Sequence, residues 1–203
     1  MKIMITGFEP FGGESVNPSL EAVKRLPDEI AGAQICKVQV PVVRYRALEC
    51  IKANVSFYRP DAVISVGQAG GRIGITPERI GINCDDYGIP DNGGNAPVNE
   101  KIFEDGPDAY FATLPVLAMT EAIKAAGIPA SVSNTAGTYV CNHVLYGTRY
   151  FLEKEYPGII SGFIHVPFMH EQAIEKRGMP SLSLDEITRG LEAAVTAVAE
   201  VLK

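Results

Sequence analysis

The chain has no tryptophan, and none of its four cysteines, Cys36, Cys50, Cys84 and Cys141, forms a CxxC pair. A redox dithiol and a cysteine-framed zinc ribbon are therefore not indicated, and a free thiol is the default for each cysteine. Histidine is scarce too: only His143, His165 and His170 occur, and their spacings with Cys141 match no common zinc pattern. Lys and Arg number 18 against 24 Asp and Glu, a net charge of -6, so the basic patch that a nucleic-acid partner requires is missing. No apolar run approaches the roughly 20 residues of a membrane span. GQAGGRIG lacks the order of GxGxxG, and no GxxxxGK[ST] occurs, so neither dinucleotide nor ATP binding is supported. The first residues, MKIMITGFEPFGG, have too short an apolar part for a signal peptide and read as a first strand, which implies a cytoplasmic protein.

What is present is an ordinary globular composition, 46% hydrophobic and 21% charged over 203 residues, which fits one domain with a core. Short apolar runs alternate with helical patterns. KIMIT precedes PSLEAVKRL, ICKVQVPV precedes YRALECIKANVSFY, and DAVISVG leads into RIGITPERIGINCD. LPVLAMTEAIKAAG reads as a helix closed by Gly127, ASVSN precedes the helix that holds Cys141, and GIISGFIHVPF precedes a final helix. Ser183 followed by Glu186 predicts a capping box at the start of that last helix. The alternation predicts a three-layer α/β/α fold, a mainly parallel twisted sheet with helices on both faces. The polar stretch 85–107, rich in Gly, Pro and Asn, is long for an idle loop.

The unusual segments follow the apolar runs directly: GFEPFGG, GQAGGR and NTAGTYVC, with His165 near the end of IISGFIHV. Ligand crevices of open α/β sheets lie outside the carboxyl ends of the strands, so these segments are expected to converge. With Thr138 as N-cap, Cys141 falls in the first turn of its helix, where free N–H groups and the macrodipole favour a thiolate and an oxyanion. A buried structural thiol is the competing reading, and it suits the other cysteines better. Cys36 shares a strand face with Val38 and Val40, Cys50 sits beside Leu48 and Ile51, and Cys84 is followed by Asp85 and Asp86.

His143 is two residues from Cys141, and such neighbours point to different sides of a helix, so a packing or surface role suits it. His165 is better placed as a base, and His170 reads as a surface residue. Glu78, Asp85 and Asp86 are candidate carboxylates to orient an imidazole, and spacing does not choose among them. Phe8 and Phe11, three apart on a tight loop, could be core plugs or the walls of a pocket for a flat neutral ligand.

Along essentially its whole length the sequence resembles the pyroglutamyl-peptidase I (pyrrolidone-carboxylate peptidase) family of cytoplasmic cysteine peptidases. The resemblance rests on TGFEPFGG with Asn17-Pro18 soon after, GQAGGR, ITPERIGIN, IPDNGGN, SNTAGTYVCN and FIHVPF, in that order. It implies Cys141 as nucleophile, His165 as general base and Glu78 as the residue that orients His165. It also implies Phe8, Phe11 and Gln68 around the substrate ring, Asn17 close to the substrate loop, no metal or organic cofactor, and pyroglutamyl peptides as substrates. Relatives are often homotetramers, and the apolar stretch FATLPVLAM could serve such an interface or belong to the core. One position departs: many relatives carry Arg just before IPDN, proposed as an oxyanion donor, where this chain has Gly88. Two other functions remain compatible with the fold: a nucleoside phosphorylase-like transferase, and a non-catalytic pyroglutamyl-binding protein.

Overall fold

Residues 1–203 are all described in a computed structural model. In chain order the elements are β1 (Lys2–Phe8), α1 (Pro18–Arg25), β2 (Glu29–Ile30), β3 (Ala33–Val40), α2 (Arg46–Tyr58), β4 (Ala62–Gln68), β5 (Thr76–Glu78), β6 (Ile80–Ile82) and β7 (Ala109–Phe111). They continue with α3 (Val116–Ala125), α4 (Val140–Glu155), β8 (Ile160–Val166), β9 (Phe168–Met169), α5 (His170–Ala173), β10 (Ser181–Leu182) and α6 (Leu184–Val201). The main sheet has six strands in the order β2-β3-β1-β4-β8-β5. Its four central strands run parallel, and the short outer strands β2 and β5 are antiparallel to their neighbours. ASVSN, which the periodicity places as a strand, makes only isolated parallel bridges, Ala130 to Ile75 just before β5 and Ser133 to Glu78 of β5. Pro129, which lacks an N–H, precedes it, and the chain turns away at Ser133 toward Cys141.

The central strands are buried on both faces, and the period of two sorts their side chains into two cores. Ile3 and Ile5 of β1, Ile64 and Val66 of β4, and Ile164 and Val166 of β8 face one core with Met119, Leu191, Val195 and Val198 from α3 and α6. Met4 and Phe8, Val63, and Phe163 face the other, with Ile51 and Val55 of α2 and Val144 and Leu145 of α4. The second face carries the site, because Gly67, His165 and Glu78 share its parity.

Helix ends follow local chemistry. Ser183 caps α6 and Glu186 reaches back to the Ser183 N–H, the expected reciprocal box, worth about 1 kcal/mol. Gly127, at φ +79°, accepts the left-handed turn after α3. In FATLPVLAM, Leu114 and Met119 are core residues while Phe111 and Leu117 are exposed. The 85–107 stretch contains no helix or strand, yet it is tied down: Asp85 exchanges backbone bonds with Glu100, and Tyr87 donates to Pro97.

Candidate active site

The ends of β1, β4 and β8 and the mouth of α4 meet around a cavity of about 370 Å³. Phe8, Phe11 and Val42 form one apolar side, Gln68, Ala69 and Arg72 follow β4, and Thr135 to Cys141, without Thr138, supply the wall opposite. His165 and Cys141 both open onto this space.

His165 is held from behind. β5 runs antiparallel to β8 with Thr76 opposite His165 and Glu78 opposite Phe163, so Glu78 lies diagonally across from the imidazole on one sheet face. Its Oε1 is 2.7 Å from His165 Nδ1, and both residues are buried. That bond places the proton on Nδ1 and leaves Nε2 as the free base. Arg72 donates from Nη1 to the same Glu78 oxygen at 2.7 Å and from Nη2 to the Thr135 carbonyl at 3.0 Å. Arg72 is not among the candidate site residues read from the sequence. Its position at the end of GQAGGR was the available signal.

Cys141 is the second residue of α4, whose N-cap is Tyr139 and not Thr138. The Thr138 hydroxyl is engaged elsewhere, donating to the Asp86 carbonyl at 2.8 Å, so no side chain caps this helix and its first N–H groups stay free. The pull of the helix end toward a thiolate is opposed by desolvation of the half-buried Cys141. Loss of water pushes the Cys141 thiol up to about 12; the Glu78 charge adds to this, and the helix-end amide and Arg72 only partly oppose it. Burial likewise pushes His165 below its ordinary 6.5, against the pull of Glu78. Both shifts favour the neutral forms of thiol and imidazole.

The helix mouth is fixed by its next two residues, which sequence reading left without this role. Asn142, fully buried, accepts from the Ile82 N–H and donates to the Ile82 and Cys84 carbonyls, each at 2.9 Å. His143 is buried on the far side of α4, with Nδ1 2.7 Å from Asp85, which also binds Arg44. Asp85 therefore serves His143 and not His165. His170 is exposed beside Ser181.

The sequence of the whole chain matches the pyroglutamyl peptidase family over residues 1–201. The chain belongs to that family. A pyrrolidone-carboxylate peptidase of Clostridium botulinum is 56% identical over 98% of this chain and 94% of the relative. The crystal structure of pyroglutamyl peptidase I from Bacillus amyloliquefaciens superposes with a TM-score of 0.95 at 50% identity, covering 98% of this chain and 97% of that one. The pyrrolidone carboxyl peptidase of Thermococcus litoralis gives the same TM-score at 41% identity, over 99% of this chain and 94% of the other.

Within this family frame the remaining pocket positions divide by what their polar atoms do. Asn17 lines the cavity, but its side chain is spent on its own loop: Oδ1 accepts from the Ser19 N–H and hydroxyl, and Nδ2 donates to the Glu9 carbonyl at 2.9 Å. Ser19 in turn accepts from the Phe8 N–H. Asn17 thus braces the end of β1 at Phe8 and the loop that carries Phe11. Gln68 accepts from Gln172 at 2.9 Å and keeps its own amide N–H groups for the cavity. Tyr139 packs on Phe11 and Tyr87 and extends the aromatic wall, another residue the sequence did not single out. Gly88 is exposed, and a side chain there would meet nothing within 4 Å.

Proposed function

We propose that this chain, acting as one catalytic domain, removes an N-terminal pyroglutamyl (5-oxoproline) group from peptides, with Cys141 as nucleophile, His165 as base and acid, and Glu78 as the residue that orients His165. The observation that carries this reading is His165, bonded from behind by buried Glu78, opening onto the same cavity as a cysteine at a helix mouth. The cavity suits the ring. Phe8 and Phe11 offer apolar faces to a flat lactam, while Gln68 and backbone groups supply polar partners for its N–H and C=O.

Because the shifts favour a neutral thiol and a neutral imidazole, attack and deprotonation are coupled. As Cys141 Sγ bonds to the pyroglutamyl carbonyl carbon, its proton passes to His165 Nε2, and Glu78 stabilises the imidazolium. The carbonyl oxygen becomes an oxyanion facing the free N–H groups of the α4 mouth, that of Cys141 included. Collapse breaks the C–N bond, His165 gives its proton to the departing amine, and a thioester remains. Water, deprotonated by His165, then attacks the thioester and releases 5-oxoproline and the thiol.

Family membership supports hydrolysis and leaves the phosphorylase-like and non-catalytic readings without support. We place the protein in the cytoplasm as a homo-oligomer, a tetramer by family resemblance. In keeping with this, no helix is long and apolar enough to cross a membrane, and Phe111 and Leu117 present apolar surface. The test is release of a chromogenic amine from a pyroglutamyl anilide by wild type and Cys141→Ser, in phosphate-free buffer with a chelator. Wild-type turnover abolished by the substitution is expected. A folded wild type without turnover contradicts the reading.

A further inference from the structure

Gln68 ends β4 with the parity of Ile64 and Val66, the face on which Met169 also packs, and its amide meets that of Gln172. Gln172 is buried and is not among the residues that line the cavity. Its orientation is fixed by a group that can only donate. The Met169 N–H bonds to Gln172 Oε1 at 3.1 Å, which leaves Gln172 Nε2 to face the other way. There Nε2 donates to Gln68 Oε1 at 2.9 Å and to Glu14 Oε2 at 3.2 Å. The Glu14 carboxylate can only accept, because Lys176, 2.9 Å away, holds its carboxyl below the ordinary range. A backbone donor on one side and a carboxylate on the other thus agree on one setting of the Gln172 amide. The polarity passes on to Gln68. Its Oε1 is occupied, so the Nε2 hydrogens are what it offers to the cavity.

Gln172 also joins two sides of the pocket. Gln68 stands at the end of β4, and Glu14 closes the turn after Phe11, its N–H bonded to the Phe11 carbonyl at 3.1 Å. We propose that Gln172 is a positioning residue that holds Gln68 as a hydrogen-bond donor, so that this side chain reads the ring carbonyl of the lactam and not its N–H. The inference rests on the pyroglutamyl-peptidase reading and names the atom of the ring that Gln68 takes. The ring carbonyl does not react, so a bond to it is made equally in the ground state and the transition state. Its loss therefore raises KM and leaves kcat.

The experiment uses Gln172→Glu, which keeps the acceptor for Met169 and removes the donor to Gln68. Gln68 then turns its own N–H groups to the new carboxylate and shows its carbonyl to the cavity. A double variant, Gln172→Glu with Glu14→Gln, has the net charge of wild type and gives the new carboxylate a second donor, which separates polarity from carboxylate repulsion. Turnover of a pyroglutamyl anilide gives kcat and KM. Ligand-observed NMR gives dissociation constants for 2-pyrrolidinone and pyrrolidine-2-thione without needing turnover. The two rings differ in that a thiocarbonyl sulfur accepts a hydrogen bond more weakly than oxygen. In both variants KM should rise about tenfold with kcat within about twofold of wild type. The preference for 2-pyrrolidinone over the thione should fall about threefold or more from its wild-type value. A merely structural role for Gln172 would weaken both rings alike, so an unchanged preference in the variants overturns the proposal. A fall in kcat at constant KM overturns it too. Absence of wild-type turnover, with the ring preference still shifting in the variants, would instead sink the peptidase reading.

Discussion

A Cβ built on Gly67 would lie 2.9 Å from the sulfur of Cys141 and 2.8 Å from the ring of Phe163. Gly67 is paired with His165 across the β4–β8 ladder, so the thiol occupies the space a side chain would take beside the imidazole's own strand. The first glycine of GQAGGR therefore leaves room for the Cys141 thiol.

Gly67→Ala should displace Cys141 and the Phe163 ring together. The expected result is a loss of kcat on the order of 10²-fold, as a shift of about 1 Å brings in a catalytic site. Overpacking should also cost about 1–3 kcal/mol of stability. Steady-state kinetics beside thermal unfolding checks both, and near wild-type kcat would show that the sulfur needs no such room.

Glu78→Gln keeps the size of the side chain and removes its charge. An amide can donate to Nδ1 and so stabilise the tautomer with Nε2 protonated, which is useless as a base. The expected fall in kcat is on the order of 10⁴-fold, with a folded protein and little change in KM. A loss of tenfold or less would show that Glu78 does not set the His165 tautomer.

The two shifted groups set the pH behaviour. His165 titrates below 6.5 and Cys141 near 12, so kcat/KM should be level from pH 6.5 to above 9 and fall only on the acid side as His165 is protonated. Difference absorbance at 240 nm between wild type and Cys141→Ser should show no thiolate at pH 8. Stability follows the same groups. Below pH 6.5 the unfolded chain binds the histidine proton first, so acid destabilises the fold. Above pH 9 the unfolded chain releases cysteine protons first, so alkali destabilises the fold; burial also raises Cys36, Cys50 and Cys84, so Cys141→Ser should reduce that second loss without abolishing it. Melting temperatures from pH 5 to 10.5 for both proteins test the signs.

Gly88→Arg should fold as wild type, within about 0.5 kcal/mol, since the position is exposed and open. If the family's arginine is an oxyanion donor, the substitution should raise kcat more than it changes KM, by up to about 10²-fold. An unchanged kcat would show that the backbone amides of α4 already suffice.

Much of the fold was legible because it is local. The alternation of Ile3 and Ile5 against Met4 and Phe8 writes a doubly buried strand, and Ser183 with Glu186 writes a helix start. The convergence of GFEPFGG, GQAGGR and NTAGTYVC followed from their places after strands. What was not legible depends on neighbours far along the chain. Thr138 looked like an N-cap, but its hydroxyl is taken by Asp86, 52 residues away. The helix dipole argued for a thiolate, and the desolvation that opposes it comes from packing that the local sequence does not show. Family resemblance put Asn17 close to the substrate loop, and only the fold shows that every polar atom of its side chain is bound to that loop. Arg72 and Asn142 declared themselves only once their partners across the fold were in place.

The central claim is a thioester on Cys141, and the most direct measurement is intact mass after rapid acid quench during turnover of a pyroglutamyl anilide. The account predicts a transient adduct of one pyroglutamyl acyl group, mapped by peptide digestion to Cys141 and absent in Cys141→Ser. Continued turnover by Cys141→Ser, or an adduct on another residue, would contradict it.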